Sequence, residues 1–373
     1  MVRPGEETVT LLSELVAIDS VNPGLVAGAA GERQIVEHLI TRLQGSGFDT
    51  HVVPAGGAAD RPSLVAISPA PAGAPTVVLN GHLDTVGVAG MGDPFTPRVE
   101  GDRLYARGAA DMKGGIAGIV TAAAHLAASR VPVRIVLALV ADEEDASLGS
   151  EAVIAALPDL GVRPDVCVIA EPTDLALGRS LRGFAVVRVH FAGRAAHSSQ
   201  AELGLNAVTH LGRFLHAVDV RAEEVRSAGG DLMATLVSGG ESQFVIPDHA
   251  ECVVELRIAP GDQRDPLPEV LALLDPAWDA TAEVLAHRPA WRLDDTGAAA
   301  TLSAAIGEAL GTGPTFDAPY WMEAPLWQQI CPTAICGPSG GGLHAIDEWV
   351  DLAQVRSFVG GLIRALESWV ART

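Results

Sequence analysis

The chain has 373 residues, 48% of them hydrophobic, and a formal net charge of −21. That length accommodates two domains with a large core, and that hydrophobic content excludes a disordered chain. The acidity excludes a basic footprint for nucleic acid and disfavours anionic membrane surfaces, and no apolar run reaches the roughly 18 residues that a membrane span needs.

The opening Met1-Val2-Arg3-Pro4-Gly5-Glu6-Glu7 turns acidic where a secretory signal would be apolar. The first 45 residues read as helical, broken at Asn22-Pro23-Gly24, with Ile35, Val36, Leu39, Ile40 and Leu43 at helical spacing. Strands and helices then alternate. Residues 75–80 form a short buried strand, 114–128 a small-residue helix, 134–140 a strand apolar on both faces, 149–157 a helix and 165–170 another buried strand. Continuous apolar strands alternating with helices predict an α/β fold with a mostly parallel sheet covered by helices.

The pattern changes near Gly178. Strand 184–191, helix 205–218, strands 232–238 and 251–258, helix 267–274 and strand 281–285 follow in turn. That order is the ferredoxin-like motif, so residues 178–288 are expected to form an inserted α+β domain. Residues 1–177 and 289–373 then make the larger domain, which resumes with helix 298–310, strand 333–336 and helix 352–370. Cys167, Cys252, Cys331 and Cys336 have no Cys-x-x-Cys spacing. They read as reduced thiols of a cytoplasmic protein, ahead of a Cys331–Cys336 disulfide.

Five short motifs carry the chemistry: Gly81-His82-Leu83-Asp84-Thr85, Ala110-Asp111-Met112-Lys113, Ala141-Asp142-Glu143-Glu144, Ala170-Glu171-Pro172-Thr173 and Leu343-His344-Ala345-Ile346-Asp347-Glu348. Most begin where an apolar strand stops, the edge at which open parallel sheets bind ligands. His82 and Asp84 share a face of an extended segment, so the Asp84 carboxylate can hold the second ring nitrogen of a metal-bound histidine. Asp111 precedes a helix; it is an N-cap or, between two cations, a bridge whose oxygens serve different metals. Of the adjacent Glu143 and Glu144, one can bind metal while the other faces the substrate water. Glu171 and His344 complete the candidate shell. Mixed histidine and carboxylate ligands suit zinc, with cobalt or manganese as substitutes.

Together these motifs resemble the zinc metallopeptidase family of acetylornithine deacetylase, succinyl-diaminopimelate desuccinylase, aminoacylase and glutamate carboxypeptidase, over nearly the whole chain. The resemblance implies two Zn2+ per subunit: His82 and Glu171 hold one, Glu144 and His344 the other, and Asp111 bridges. It makes Asp84 the residue that orients His82, Glu143 the general base, and Asp111–Met112 a cis peptide. It also implies a lid in the inserted domain. There, Gly193-Arg194-Ala195-Ala196-His197-Ser198-Ser199 matches the segment whose histidine stabilises the oxyanion, in dimeric members often at the partner's site, and Arg257 matches the arginine that pairs with the substrate carboxylate.

The implied function is a metal-dependent amidohydrolase acting on an N-acyl amino acid, with a carboxypeptidase or dipeptidase as the alternative. A homodimer through the lid is a further implication. Phe244 before Val245-Ile246-Pro247, Ala201 after the His-Ser-Ser segment, and Asp347 depart from the family pattern. They bear on the substrate rather than on the metals. The aromatic stretch from Tyr320 to Trp327 is a candidate acyl pocket or a packing element. Gly337-Pro338-Ser339-Gly340-Gly341 fits a serine-hydrolase elbow, but glycine follows where a helix is needed, and His344 is the last histidine. A non-catalytic relative would lack a ligand, and none is missing.

Overall fold

The structure is a computed structural model that describes residues 4–129, 131–262, 264–294, 296–311 and 315–373. Met1 to Arg3, where the signal-peptide expectation begins, lie outside them. The chain divides into two compact units: Met1–Arg179 with Leu293–Asp317 and Met322–Thr373, and Ser180–Arg292 with Ala318–Trp321.

The larger unit opens with helices α1 (Pro4–Val16) and α2 (Arg33–Gly45). Strands β1 (Asp49–Pro54), β2 (Pro62–Ile67) and β3 (Thr76–His82) follow, then α3 (Gly114–Ala128), β4 (Arg134–Val140), α4 (Leu148–Ala156) and β5 (Val166–Ile169). The smaller unit supplies β6 (Gly183–Ala192), α5 (Ala207–Ser227), β7 (Asp231–Gly239), β8 (His249–Ile258), α6 (Pro266–Leu271) and β9 (Asp279–Arg288). The chain then adds α7 (Gly297–Leu310), α8 (Ala324–Trp327), β10 (Thr333–Ile335) and α9 (Leu352–Val370) to the larger unit.

The main sheet has the order β1-β2-β4-β3-β5-β10. Strands β4, β3, β5 and β10 run parallel to one another, and every residue of β3 and β5 is buried. Successive side chains point to opposite faces, so both faces are covered. Helices α1, α3 and α9 pack on one another, and α7 packs on α9. α9 begins at Asp351, whose carboxylate accepts from the Ala353 and Gln354 amides, and buries Val355, Phe358, Leu362, Leu366 and Trp369 on one face.

The antiparallel hairpin β1–β2, which joins the sheet beside β4, is an addition to the sequence reading. Its first strand is only half-buried and the Ala55-Gly56-Gly57 turn splits the pattern, so no periodic signal marks it. Helix α5 runs nine residues beyond the expected end at Val218, through a charged tail held by Arg221, which pairs with Glu224 and with Glu269 at 2.6 Å.

In the smaller unit the four strands are antiparallel in the order β7-β8-β6-β9. Counted along the chain this is 2-3-1-4, the arrangement of a ferredoxin-like sheet. Phe191, Phe214, Leu211, Val187 and Val254 lie in its core, under α5. Among the described residues no helix is long and apolar enough to cross a membrane.

Candidate metal centre

The parallel strands of the larger unit end at one edge. His82 closes β3 opposite Val140, the last residue of β4, while Asn80 pairs with Ile169 of β5 and Ile169 with Ile335 of β10. Asp84, the Asp142–Glu144 turn and Glu171 therefore leave the sheet together. Asp111 arrives in the irregular turn Ala109–Lys113 that leads into α3, and its peptide to Met112 is cis. Lys113 occupies the helix N-cap position, so Asp111 is not the cap.

His344 sits in the turn between two short strands, Gly340–Gly341 and Trp349–Asp351, which pair with each other. The second of these pairs with Arg103–Tyr105. The small sheet thus puts the His344 turn beside the segment that leads to Asp111. Ser339 is followed by a strand instead of the helix that a nucleophile elbow requires.

The six residues read as ligands or base come together. His82 Nε2 lies 3.0 Å from Asp111 Oδ1 and 3.9 Å from Glu171 Oε1. His344 Nε2 lies 3.3 Å from Asp111 Oδ2 and 3.1 Å from Glu144 Oε2. Asp111 thus turns one oxygen to each histidine. Donor atoms of His82, Asp111 and Glu144 fall within 4.8 Å of one another, as do those of His82, Glu143 and Glu171. Two ligands of one tetrahedral zinc stand about 3.4 Å apart by the usual bond lengths, which is the spacing seen here.

Asp84 differs from the expectation. Its main-chain carbonyl, at 3.0 Å, accepts from His82 Nδ1, while the nearer carboxylate oxygen is 3.6 Å from that nitrogen. The proton this demands on Nδ1 leaves Nε2 free to bind metal. The carboxylate instead accepts from the Glu143 amide (3.1 Å), the Glu144 amide (3.2 Å) and Asn22 Nδ2 (2.8 Å). It thereby anchors the backbone of both glutamates.

The electrostatics call for cations. Burial pushes the Glu143 carboxyl well above its usual range, against the pull of His82 and with the repulsion of Glu171 and Glu144. Burial likewise raises Glu171 and Glu144, each also facing the negative charge of Asp111. For Asp111 burial is outweighed by His344 and His82, which hold its carboxyl below the usual range. His344 is pushed up to about 10 by Asp111 and Glu144. Four crowded carboxylates with two histidines drawn into proton sharing form a donor set that fits divalent cations in place of those protons.

The other predicted residues lie in the smaller unit. His197 is exposed; its Nδ1 accepts from the Ser199 amide at 3.2 Å and lies 2.8 Å from the Ser199 hydroxyl. A lone pair on Nδ1 leaves Nε2 to carry the proton. Arg257 is half-buried on β8, with Glu255 2.6 Å from its guanidinium and the Phe184 ring 5.7 Å away. In the aromatic stretch Trp327 is buried and donates to Ser150 Oγ at 3.0 Å, Trp321 donates to the Pro289 carbonyl, and Tyr320 is exposed. All four cysteines are buried and free.

Several polar residues escaped the sequence reading. Arg61 bridges the buried Glu32 (2.7 Å) and Asp142 (2.8 Å) and donates to Asn22 Oδ1, so it backs the residue that holds Asp84. Lys113, fully buried, donates to the carbonyls of Leu15 and Ile18. Glu348 lies against the Asp111 turn. It stood at the end of the fifth motif with no role assigned, and nothing local separates it from its neighbour Asp347, which is exposed.

A model of the family described as peptidase family M20/M25/M40 matches residues 78–368. Acetylornithine deacetylase from Proteus mirabilis is 26% identical over 379 residues, covering 95% of each chain. Succinyl-diaminopimelate desuccinylase from Gluconobacter oxydans is 30% identical over 383 residues, covering 97% of each. A tripeptidase from Staphylococcus aureus superposes with a TM-score of 0.79 at 17% identity over 99% of both chains. A dinuclear metal-binding M20 peptidase from Bacillus subtilis does so at 0.76 and 16%, over 99% of this chain and 98% of that one.

Proposed function

The chain belongs to peptidase family M20/M25/M40, a family of metal-dependent hydrolases of amide and peptide bonds, and from that premise we propose that it is a di-zinc deacylase of N-acyl amino acids. The observation that carries the two-metal part is Asp111, with Oδ1 toward His82 and Oδ2 toward His344. His82 and Glu171 would hold one zinc, Glu144 and His344 the other, with Asp111 between them; cobalt or manganese would substitute. Such an ion pair would supply Lewis-acid chemistry, polarising an amide carbonyl and acidifying a water for attack.

The remaining steps belong to side chains of this protein. Glu143, anchored by Asp84, accepts the proton of the attacking water and returns it to the leaving nitrogen. His197, protonated on Nε2, donates to the oxyanion. Arg257 exchanges Glu255 for the substrate carboxylate, a bidentate partner for its guanidinium. The acyl–amino acid assignment is supported by full-length relatives named as a deacetylase and a desuccinylase. The four buried free thiols support a cytoplasmic setting. Exposed Met233, Leu236 and Val237 on edge strand β7 support pairing of two copies through the smaller unit.

A hydrolysis screen tests the reading. The purified protein, with zinc or cobalt, meets N-acetyl, N-succinyl, N-formyl and long-chain acyl amino acids alongside dipeptides. The expected result is release of the free amino acid from one acyl class with a kcat/KM above that of every dipeptide. Faster cleavage of dipeptides would replace the deacylase with a carboxypeptidase or dipeptidase.

A further inference from the structure

We propose that Glu348 is a positioning residue that locks the two halves of the metal site together, an inference that rests on the two-metal reading above. Its carboxylate is buried, with 1% of the residue exposed. Oε2 accepts from the Gly108 amide at 2.9 Å and from an Arg107 guanidinium nitrogen at 2.7 Å. Oε1 accepts from the Ala110 amide at 3.0 Å and the Asp111 amide at 3.1 Å. Three backbone amides of the 108–111 segment and one guanidinium converge on this carboxylate, so the backbone of the bridging aspartate hangs from it together with a cation.

That cation returns to the other ligand. Arg107, 2% exposed, donates through its second terminal nitrogen to the Ala345 carbonyl at 3.0 Å, the residue after His344. His344 has φ 61°, a left-handed conformation that a non-glycine residue keeps only when its surroundings hold it. Glu348 closes the same turn four residues later. The Glu348–Arg107 pair therefore fixes the Asp111 backbone and the chain that leaves His344 on its C-terminal side, and these are the ligands that join the second ion to the first. His82 on β3 and Glu171 after β5 are placed by the main sheet and do not depend on it.

All four partners of Glu348 donate. A carboxylate accepts at both oxygens, whereas an isosteric amide would turn N–H groups toward two donors. Glu348→Gln thus preserves volume and removes the function. The experiment titrates zinc into the metal-free full-length protein by calorimetry, with cobalt absorption as a second readout. Wild type is expected to take two ions per chain. Glu348→Gln should weaken the ion shared by Glu144 and His344 by about 10–100-fold, the usual cost of removing a group that orients metal ligands, and the ion at His82 and Glu171, which loses only the Asp111 contact, by clearly less. The ion affected should be the one that His344→Ala also loses.

Glu348→Asp, which keeps both acceptors on a shorter arm, should recover part of the second affinity. Should Glu348→Gln fail to fold, Arg107→Lys, which removes the contact to Ala345, should weaken the same ion. Two ions bound by Glu348→Gln with wild-type affinities would overturn the proposal. So would parallel loss of both ions in proportion to unfolded protein, which would make Glu348 a prop of the fold alone. A wild-type stoichiometry of one would overturn the two-metal reading itself, and the proposal with it, before any variant is compared.

Discussion

Glu143 and Glu144 are neighbours in the chain with different surroundings. Asp84 holds both amides, and from that shared anchor Glu144 reaches His344 at 3.1 Å while Glu143 groups with His82 and Glu171. The grouping makes Glu143 either a base or an extra ligand, and replacing its oxygen separates the two. For Glu143→Gln, turnover is expected to fall by about 10²–10⁴-fold, the typical contribution of general acid–base catalysis, with metal content unchanged. Elemental analysis of the purified variant checks this; a matching loss of metal would make Glu143 a ligand. The residue types were legible from the sequence, but the division of labour was not. Asp84 shows why: a spacing of two puts it near His82, but only the folded loop decides that its carbonyl meets the ring and its carboxylate meets two amides 59 and 60 residues away.

At the scale of elements, α3 owes its small residues to how closely it passes the site. A Cβ on Gly115 would stand 2.0 Å from the Ala170 carbonyl oxygen, immediately before Glu171, and one on Gly118 would meet Phe358 of α9 at 2.5 Å. Alanine in place of helical glycine ordinarily gains about 1 kcal/mol of helix propensity. At Gly115 the obstacle is backbone at a strand end, which cannot swing aside. Gly115→Ala is therefore expected to lower the unfolding free energy by about 1–3 kcal/mol, as overpacked cores do. Gly212→Ala, in α5 with nothing within 4 Å, should raise it by about 0.4–1 kcal/mol. Denaturant unfolding of the two variants provides the comparison, and equal effects would contradict the close approach. The small-residue helix was plain in the sequence; what it makes room for was not.

For the molecule as a whole, the larger unit concentrates its acids at the edge of its own sheet. Asp111, Glu143, Glu144 and Glu171 repel one another there, and burial disfavours their ionisation. Cations that bind only the folded state stabilise it by mass action, by about 2.7 kcal/mol for each site filled at a hundredfold excess over its Kd. Chelation is expected to lower the calorimetric unfolding temperature and added zinc to restore it; an unchanged transition would mean that the acids are tolerated without cations. The sequence alone determined the alternation of apolar strands and helices, the ferredoxin-like order of β6 to β9, and the acids and histidines that follow the strands. Buried parallel strands must be continuously apolar, and their ligands can only follow them, so both patterns are written locally. The tertiary structure alone decided which oxygen of Asp111 faces which histidine, how Asp84 divides its acceptors, and that Glu348 carries the Asp111 backbone. Each depends on a partner set by packing, in the last case 237 residues away in the chain, and no local pattern encodes a hydrogen bond across that distance.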